Sequence, residues 1–457
     1  MEQPQEVADE EHERVWERVA AIDVAKGSGV VCTRVPGEGR PGARKTHVHT
    51  VPARARAVIE LGDYLRARQI QVVTLESTSD YWRIWFVILE AAGLKVQLVN
   101  ARHAKNVPGR AKTDKNDAVW LAKLTERGLL RPSFVPPAEI RRVRELTRLR
   151  ADLVHDRTRH WARMEKLLER AHIKLSDVVS ELTGASARAM IEALIAGQRN
   201  PGILADLARG TLRRKRAALA EALEGRFEDH HGLQAQILLD LIDALTARID
   251  ALNEKIGELL EAIPATWGVD ADGSTGPHAG TGPGARILPA VARLDEMTGC
   301  GILSAQAVIA EIGLDMTVFG TPGRLVSWAR RCPQTRQSGK KTSHGKAGKG
   351  NPYLNGALGE IAAAAARTDT FLGERYRRIA RRRGKRKALA AIARSILVII
   401  FHLLADPEAR FRDLGPDHYQ TRVNRDRKIR SLIHQLQAIN ADPGEITALL
   451  TRNKPAA

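Results

Sequence analysis

Apolar positions in the first third of the chain switch between two periods. Val19 to Val24 and Gly29 to Cys32 are short apolar runs of strand length, and Thr46 to Val51 is a third. Helical spacing follows from Ala53 to Arg68. Gln71 to Leu75 is another apolar strand, ending at Glu76; Tyr81 to Ala92 is helical, and Lys95 to Val99 returns to strand. Thr113 is placed to cap a helix running to Arg127 and closed by Gly128. Three strands, helix, strand, helix, strand, helix predicts an α/β layer with a mixed sheet.

From Pro136 onward strand signals vanish and an all-α remainder is expected. Leu146 to Leu168 is helical and rich in Arg and Glu. Leu238, Ile242, Leu245, Ile249, Leu252, Ile256, Leu259 and Ile263 alternate spacings of four and three. That a/d seam predicts a coiled coil between subunits, with packing inside one chain as the alternative. Gly268 to Gly284 has the composition of a linker. Met297 to Gly313 reads as a pair of short helices around Gly299-Cys300-Gly301, which either presents backbone amides to phosphate or is a plain helical hairpin. The expected division is a polar, flexible tail (1–14), an α/β domain (15–137), a helical and coiled-coil region (138–265), a Gly/Pro-rich linker (266–288), a helical C-terminal domain (289–417) and a basic helical tail (418–457).

Hydrophobic residues make up 43% of the 457 positions, enough for a substantial core, and the formal net charge is +19. Such a balance points to a phosphate-rich partner. A membrane partner is not expected, because the longest apolar run, Ile396 to Ala405, falls short of a span, and Met1 to Glu13 has no leader pattern. Cys32, Cys300 and Cys332 have neither disulfide nor zinc spacing, as in a reducing cytoplasm. Two acid-free stretches, Arg331 to Gly350 and Arg375 to Lys387, concentrate the cations. Gly339-Lys340-Lys341-Thr342 resembles the end of a phosphate loop, but Gln334 stands where the first glycine belongs, which excludes that ATPase motif.

Four acids stand out by position. Asp23 closes the first strand and Glu76 the fourth, while Asp114 and Asp117 share one face at the start of a helix. Each has a structural explanation as a turn former, a cap or a partner of the helix dipole. As a set they are the oxygen-rich donors that a hard divalent cation, Mg2+ or Mn2+, requires, and paired cations of that kind stabilise both oxygens of a phosphodiester exchange. Lys26, Arg102, Lys105, Arg110 and Lys112 stand nearby in sequence to hold a nucleic-acid backbone. Ser338 lies before glycine among Arg336, Lys340, Lys341, Lys346 and Lys349. Its setting suits either a nucleophile or a hydrogen-bond donor in a phosphate-gripping loop, and Ser343 is a second candidate. Arg377, Arg378, Arg381 and Arg382 in the second basic run are further candidate phosphate contacts.

At these residues the sequence resembles the DEDD transposases of the one-ten family of insertion sequences, relatives of the Piv invertase. The resemblance rests on Ala21 to Lys26, Leu75-Glu76-Ser77, Asn106 to Arg110, Thr113 to Ala118 and Ser133 to Pro137, and later on Met297 to Gly313, Ser338-Gly339 and Gly348 to Asn351. It implies a RuvC-like domain of RNase H fold, with Asp23, Glu76, Asp114 and Asp117 as catalytic metal ligands. A coiled coil and a C-terminal transposase domain would follow, in which a serine, best matched by Ser338, forms a covalent phosphoserine–DNA intermediate. It further implies donor and target DNA, a noncoding bridge RNA as guide, a dimer or tetramer, and action in a bacterial cytoplasm at the nucleoid. The excursion at Gly37 to Ala43 and the Gly268 to Gly284 segment exceed the family norm. Pro352-Tyr353-Leu354 stands where the family has Arg after Asn351, so no phosphate contact is carried over there. Two rival functions share these features: a RuvC-like nuclease that uses metal-bound water without a covalent step, and a non-catalytic nucleic-acid scaffold.

Overall fold

The computed structural model describes residues 16–38, 43–100, 113–333, 335–338, 341–344, 348–421, 430 and 433–435. The chain forms two compact units, Met1–Val135 and Pro136–Ala457.

In the first unit the described elements are β1 (Val19–Val24), β2 (Ser28–Pro36), β3 (Arg44–Pro52), α1 (Ala55–Ala67), β4 (Val72–Glu76), α2 (Arg83–Ala91), β5 (Val96–Val99), α3 (Asp114–Glu126) and β6 (Pro132–Ser133). The sheet has the order β3-β2-β1-β4-β5-β6. β1 pairs antiparallel with β2 and parallel with β4, and β4 runs parallel to β5, giving the mixed sheet expected. The central strands read as continuous apolar runs because both faces are covered. Ala20, Ile22, Val24, Val73 and Leu75 pack under α1 and α2. Val19, Ala21 and Val72 pack instead against Ala118, Leu121 and Ala122 of α3. β2 and β3 are longer than their apolar segments, since an antiparallel ladder extends through Pro36 and Arg44 into the polar excursion.

The second unit is mainly helical. It contains α4 (Ala138–Arg170), α5 (Leu175–Val178), α6 (Ala185–Ile195), α7 (Pro201–Asp206), α8 (Arg216–Ala222), α9 (Asp229–Glu261), α10 (Ala290–Asp295), α11 (Ile302–Ile312) and α12 (Pro322–Trp328). β7 (Thr335–Ser338) and β8 (Lys341–His344) follow, then α13 (Pro352–Ala365), α14 (Phe371–Arg383) and α15 (Lys385–Ala405). α4 and α9 pack together. They run antiparallel, as bonds from Arg150 to Asn253 and from Arg157 to Thr246 show, both 3.2 Å.

Three expectations are corrected here. The seam of α9 is met inside the chain: Ile242, Ile249 and Ile256 are buried without a partner subunit, while Leu245, Leu252 and Leu259 are half-buried. The glycine-rich segment is an ordered loop. Val269 bridges both Thr275 and Ile287, and a Cβ on Gly268 or Gly280 would lie 2.3 or 2.2 Å from the Ile287 carbonyl. Finally, the apolar run at Ile396 is part of a longer helix, α15, which is long and apolar enough to cross a membrane by length and composition. Half of its apolar window is buried, with α12, α13 and α14 packed on it, as befits a core helix.

Candidate active site

Strand periodicity aims the first two carboxylates. Side chains alternate between sheet faces, so Asp23 follows Val19 and Ala21 onto the α3 side, and Glu76 follows Val72 and Thr74. The parallel register that pairs Ile22 with Leu75 makes Asp23 and Glu76 the next residues on neighbouring strands. Both therefore stand at the carboxyl ends of adjacent parallel strands, where open α/β sheets bind ligands. Glu76 is 4% exposed and Asp23 half-buried. Beneath them a Cβ on Gly29 would come within 2.8 Å of Ile22 and 2.9 Å of Trp85, so only glycine lets the indole close against this strand end.

α3 brings the second pair toward the same end. Its last residue, Glu126, accepts a backbone bond from Trp16 (3.0 Å) and holds Arg34 and Arg44 at 2.6 and 2.5 Å, all at the start of β1. Thr125 donates to Thr74 at 2.8 Å. The helix thus runs against β1 and β4, with its first turn directed at their carboxyl ends. From Thr125 back to Asp117 the helix rises about 12 Å. From Thr74 to Glu76 the strand advances about 7 Å, so Asp117 reaches past the strand end. Asp114, Asp117, Ala118 and Leu121 form one helical face, whose apolar half is packed on the sheet. Thr113 caps the helix as expected, accepting from the Asn116 amide at 3.3 Å. Asp114 is exposed and Asp117 half-buried.

Asp23 and Glu76 thus share one end and one side of the sheet, and the first turn of α3, with Asp114 and Asp117, is directed toward that end. Among the described residues, no group of three or more His, Cys, Asp or Glu comes together to hold a metal ion. The donor chemistry nonetheless fits a hard divalent cation, because all four are carboxylates at, or directed toward, one end of one sheet. Lys26 is exposed in the turn between β1 and β2, three residues beyond Asp23. Arg102, Lys105, Arg110 and Lys112 lie outside the described residues.

Ser338 is the last residue of β7, and the helical expectation for its region is corrected by an antiparallel β7–β8 ladder. Ser338 pairs with Lys341, and Arg336 with Ser343. The signal lay in Ser338-Gly339-Lys340-Lys341, since Gly-X between short polar strands is a two-residue hairpin pattern. Lys340 and Lys346 lie outside the described residues, and Lys349 is exposed. The thiols offer no rival nucleophile among the buried cysteines. Burial pushes Cys32 up to about 11 and Cys300 up to about 12, which keeps both protonated near neutrality.

The second basic run is only partly available to a ligand. Arg377 is held by Asp369 and Glu374, each at 3.0 Å, and Arg378 lies over the Tyr419 ring at 4.1 Å. Arg381 and Arg382 are exposed, with Arg381 3.9 Å from Glu374. Gly299 is the other position that sequence spacing alone could not explain. At φ +83 its missing Cβ would meet the Ala365 amide at 2.6 Å, so Gly299-Cys300-Gly301 is where this turn packs onto α13.

Two family models match the chain in comparisons with known proteins. The DEDD domain model of IS110 elements, described as a transposase, matches residues 20–173. A second model, described as the transposase IS116/IS110/IS902 family, matches residues 291–377. No match is found among curated proteins.

Proposed function

The chain belongs to the IS110 family of transposases, a family of phosphoryl-transfer enzymes, and from that premise we propose how its residues divide the work. Asp23, Glu76, Asp114 and Asp117 hold the divalent cation that a DEDD domain implies, Mg2+ or Mn2+. The observation that carries this reading is the shared parity of Asp23 and Glu76 on neighbouring parallel strands, facing the helix whose first turn holds the other two. The cation, when bound, supplies Lewis-acid stabilisation of phosphodiester oxygens. The carboxylates orient it, and Lys26 holds DNA backbone beside the strand ends.

Ser338 is the nucleophile. Its hydroxyl attacks a DNA phosphorus, the P–O bond to the leaving strand breaks, and a phosphoserine ester forms while the leaving oxygen takes up a proton. Rejoining reverses these steps with another strand end, so the energy of the broken ester is conserved and no ATP is required. Arg336, Lys340 and Lys341 stabilise the charge on the phosphoryl group in flight. The remaining cations, Lys349, Arg381 and Arg382 among them, bind donor and target DNA and a noncoding guide RNA, in a cytoplasmic homo-oligomer. On this reading 138–265 is a helical spacer, whose first part, through residue 173, falls within the first family match, and 289–417 is the serine transposase domain, within which the second match, 291–377, lies.

The deciding experiment traps the intermediate on a nicked duplex built from the DNA that flanks the gene. Wild type gives a protein–DNA band that survives denaturation and vanishes with a chelator. Ser338→Ala loses the band yet binds the duplex, and Ser343→Ala keeps it. Efficient wild-type cutting with no band would instead assign the metal-and-water nuclease.

A further inference from the structure

The β7–β8 hairpin is tied down at both ends by one residue outside it. Arg331, four residues before β7, donates from Nη2 to the Asn355 carbonyl at 2.9 Å. Asn355 in turn donates from Nδ2 to the Lys349 carbonyl at 2.6 Å, beyond the end of β8. Gly350 closes the same corner at φ +62, where a Cβ would meet the Ala329 carbonyl at 2.7 Å and Asn355 Nδ2 at 3.0 Å. Asn355 therefore bridges the chain entering the hairpin to the chain leaving it.

This bridge costs the fold something. Asn355 Oδ1 and Arg331 Nε are both buried without a hydrogen-bond partner among the described residues. Burial alone drives the Arg331 guanidinium below its ordinary range. A residue kept merely to fill this space would leave no such orphaned atoms.

The base of the bridge is rigid for a separate reason. Asn351 caps α13 through Oδ1, accepting from the amides of Tyr353 and Leu354, and donates from Nδ2 to Glu311 at 2.5 Å. Glu311 is 2% exposed and is gripped by Arg148 through two bonds of 2.7 and 2.9 Å. The turn at Lys349 is thereby referred through α13 and α11 to the long helix α4.

We propose that Asn355 is a positioning residue that fixes the root of the β7–β8 hairpin, and with it the orientation in which Ser338 meets DNA. The proposal rests on the serine assignment above. Its physical content is that a two-stranded hairpin is marginal by itself, so its aim is set by what clamps its ends. Precision at the ångström scale matters for attack on phosphorus, because misplacement of that size costs orders of magnitude in rate.

The test compares the full-length protein with Asn355→Ala and Asn355→Asp, the latter keeping the shape while replacing the donor amide by a carboxylate, a charge that the helix dipole tolerates in the first turn. Amide hydrogen exchange is followed across 335–344, together with the unfolding midpoint, affinity for the nicked duplex and the rate of adduct formation at saturating DNA. Expected are exchange about tenfold faster in the hairpin, the scale of one lost hydrogen bond, and an adduct rate at least about tenfold lower. The midpoint and affinity stay near wild type in at least the Asp variant. Unchanged hairpin exchange in both variants overturns the clamp. Faster exchange with an undiminished adduct rate overturns its role in positioning. Ser338→Ala is run beside them: if it forms the adduct, the serine assignment fails and the claim on chemistry falls with it, while the exchange data judge the clamp independently.

Discussion

Glu76 sits almost out of reach of solvent at the end of a strand whose other residues are buried, a place where a carboxylate is costly unless bonded or metal-bound. Asp23 beside it closes the neighbouring strand. If the pair serves a cation, Glu76→Ala or Asp23→Ala lowers strand cleavage to about one hundredth of wild type or less, as loss of a transition-state charge stabiliser does. DNA affinity stays within about threefold, since cationic contacts supply it. Cleavage assayed on supercoiled DNA with added Mg2+ checks this, and wild-type rates in either variant would return both acids to a structural role. The choice of these residues was legible from their places at strand ends. Their common face was legible too, once the register of β1 on β4 was known, because parity is a property of the pairing. The Asn355 bridge had no sequence signal, since it joins main-chain atoms whose proximity exists only after α13 packs.

At the scale of elements, α9 shows how a periodic seam leaves its partner open. Heptad spacing says that one stripe is buried, and it is silent on whether the covering helix belongs to the same chain. Here α4 covers the isoleucines, so Ile249→Ala should cost about 2–5 kcal/mol in chemical unfolding. Leu245→Ala, on the half-buried flank, should cost distinctly less, and light scattering should show the same mass for Ile249→Ala as for wild type. A larger loss at Leu245, or dissociation on truncating Ile249, would restore the seam to an interface between subunits. The β7–β8 hairpin was missed for a related reason. Its strands are short and polar, so they lack the apolar alternation by which strands announce themselves.

The whole molecule carries +19, and much of that charge lies in two runs of the second unit. Its DNA affinity should fall linearly on a log–log plot against salt. Replacing exposed Arg381 and Arg382 by Ala should reduce the slope by about 0.9 for each phosphate that is no longer neutralised. Arg377→Ala, whose guanidinium is already committed to Asp369 and Glu374, should leave the slope nearly unchanged and lower stability instead. Fluorescence anisotropy over a salt series distinguishes these, and equal slope changes for all three would mean that the ion pairs of Arg377 open on DNA.

By itself the sequence determined the alternation of strands and helices in the first unit, the helical character of the second, the basic balance and the identity of the strand-end acids. Those features follow from local periodicity and composition, which act over a few residues. Tertiary structure decided which face the acids take, which helix covers the seam of α9, which arginines are already paired and how the serine hairpin is held. Each of these depends on contacts between residues far apart in sequence, such as Ile22 with Leu75, Arg148 with Glu311 and Arg331 with Asn355. The energy of such contacts comes from packing and from desolvated hydrogen bonds, and neither exists until the chain has closed upon itself.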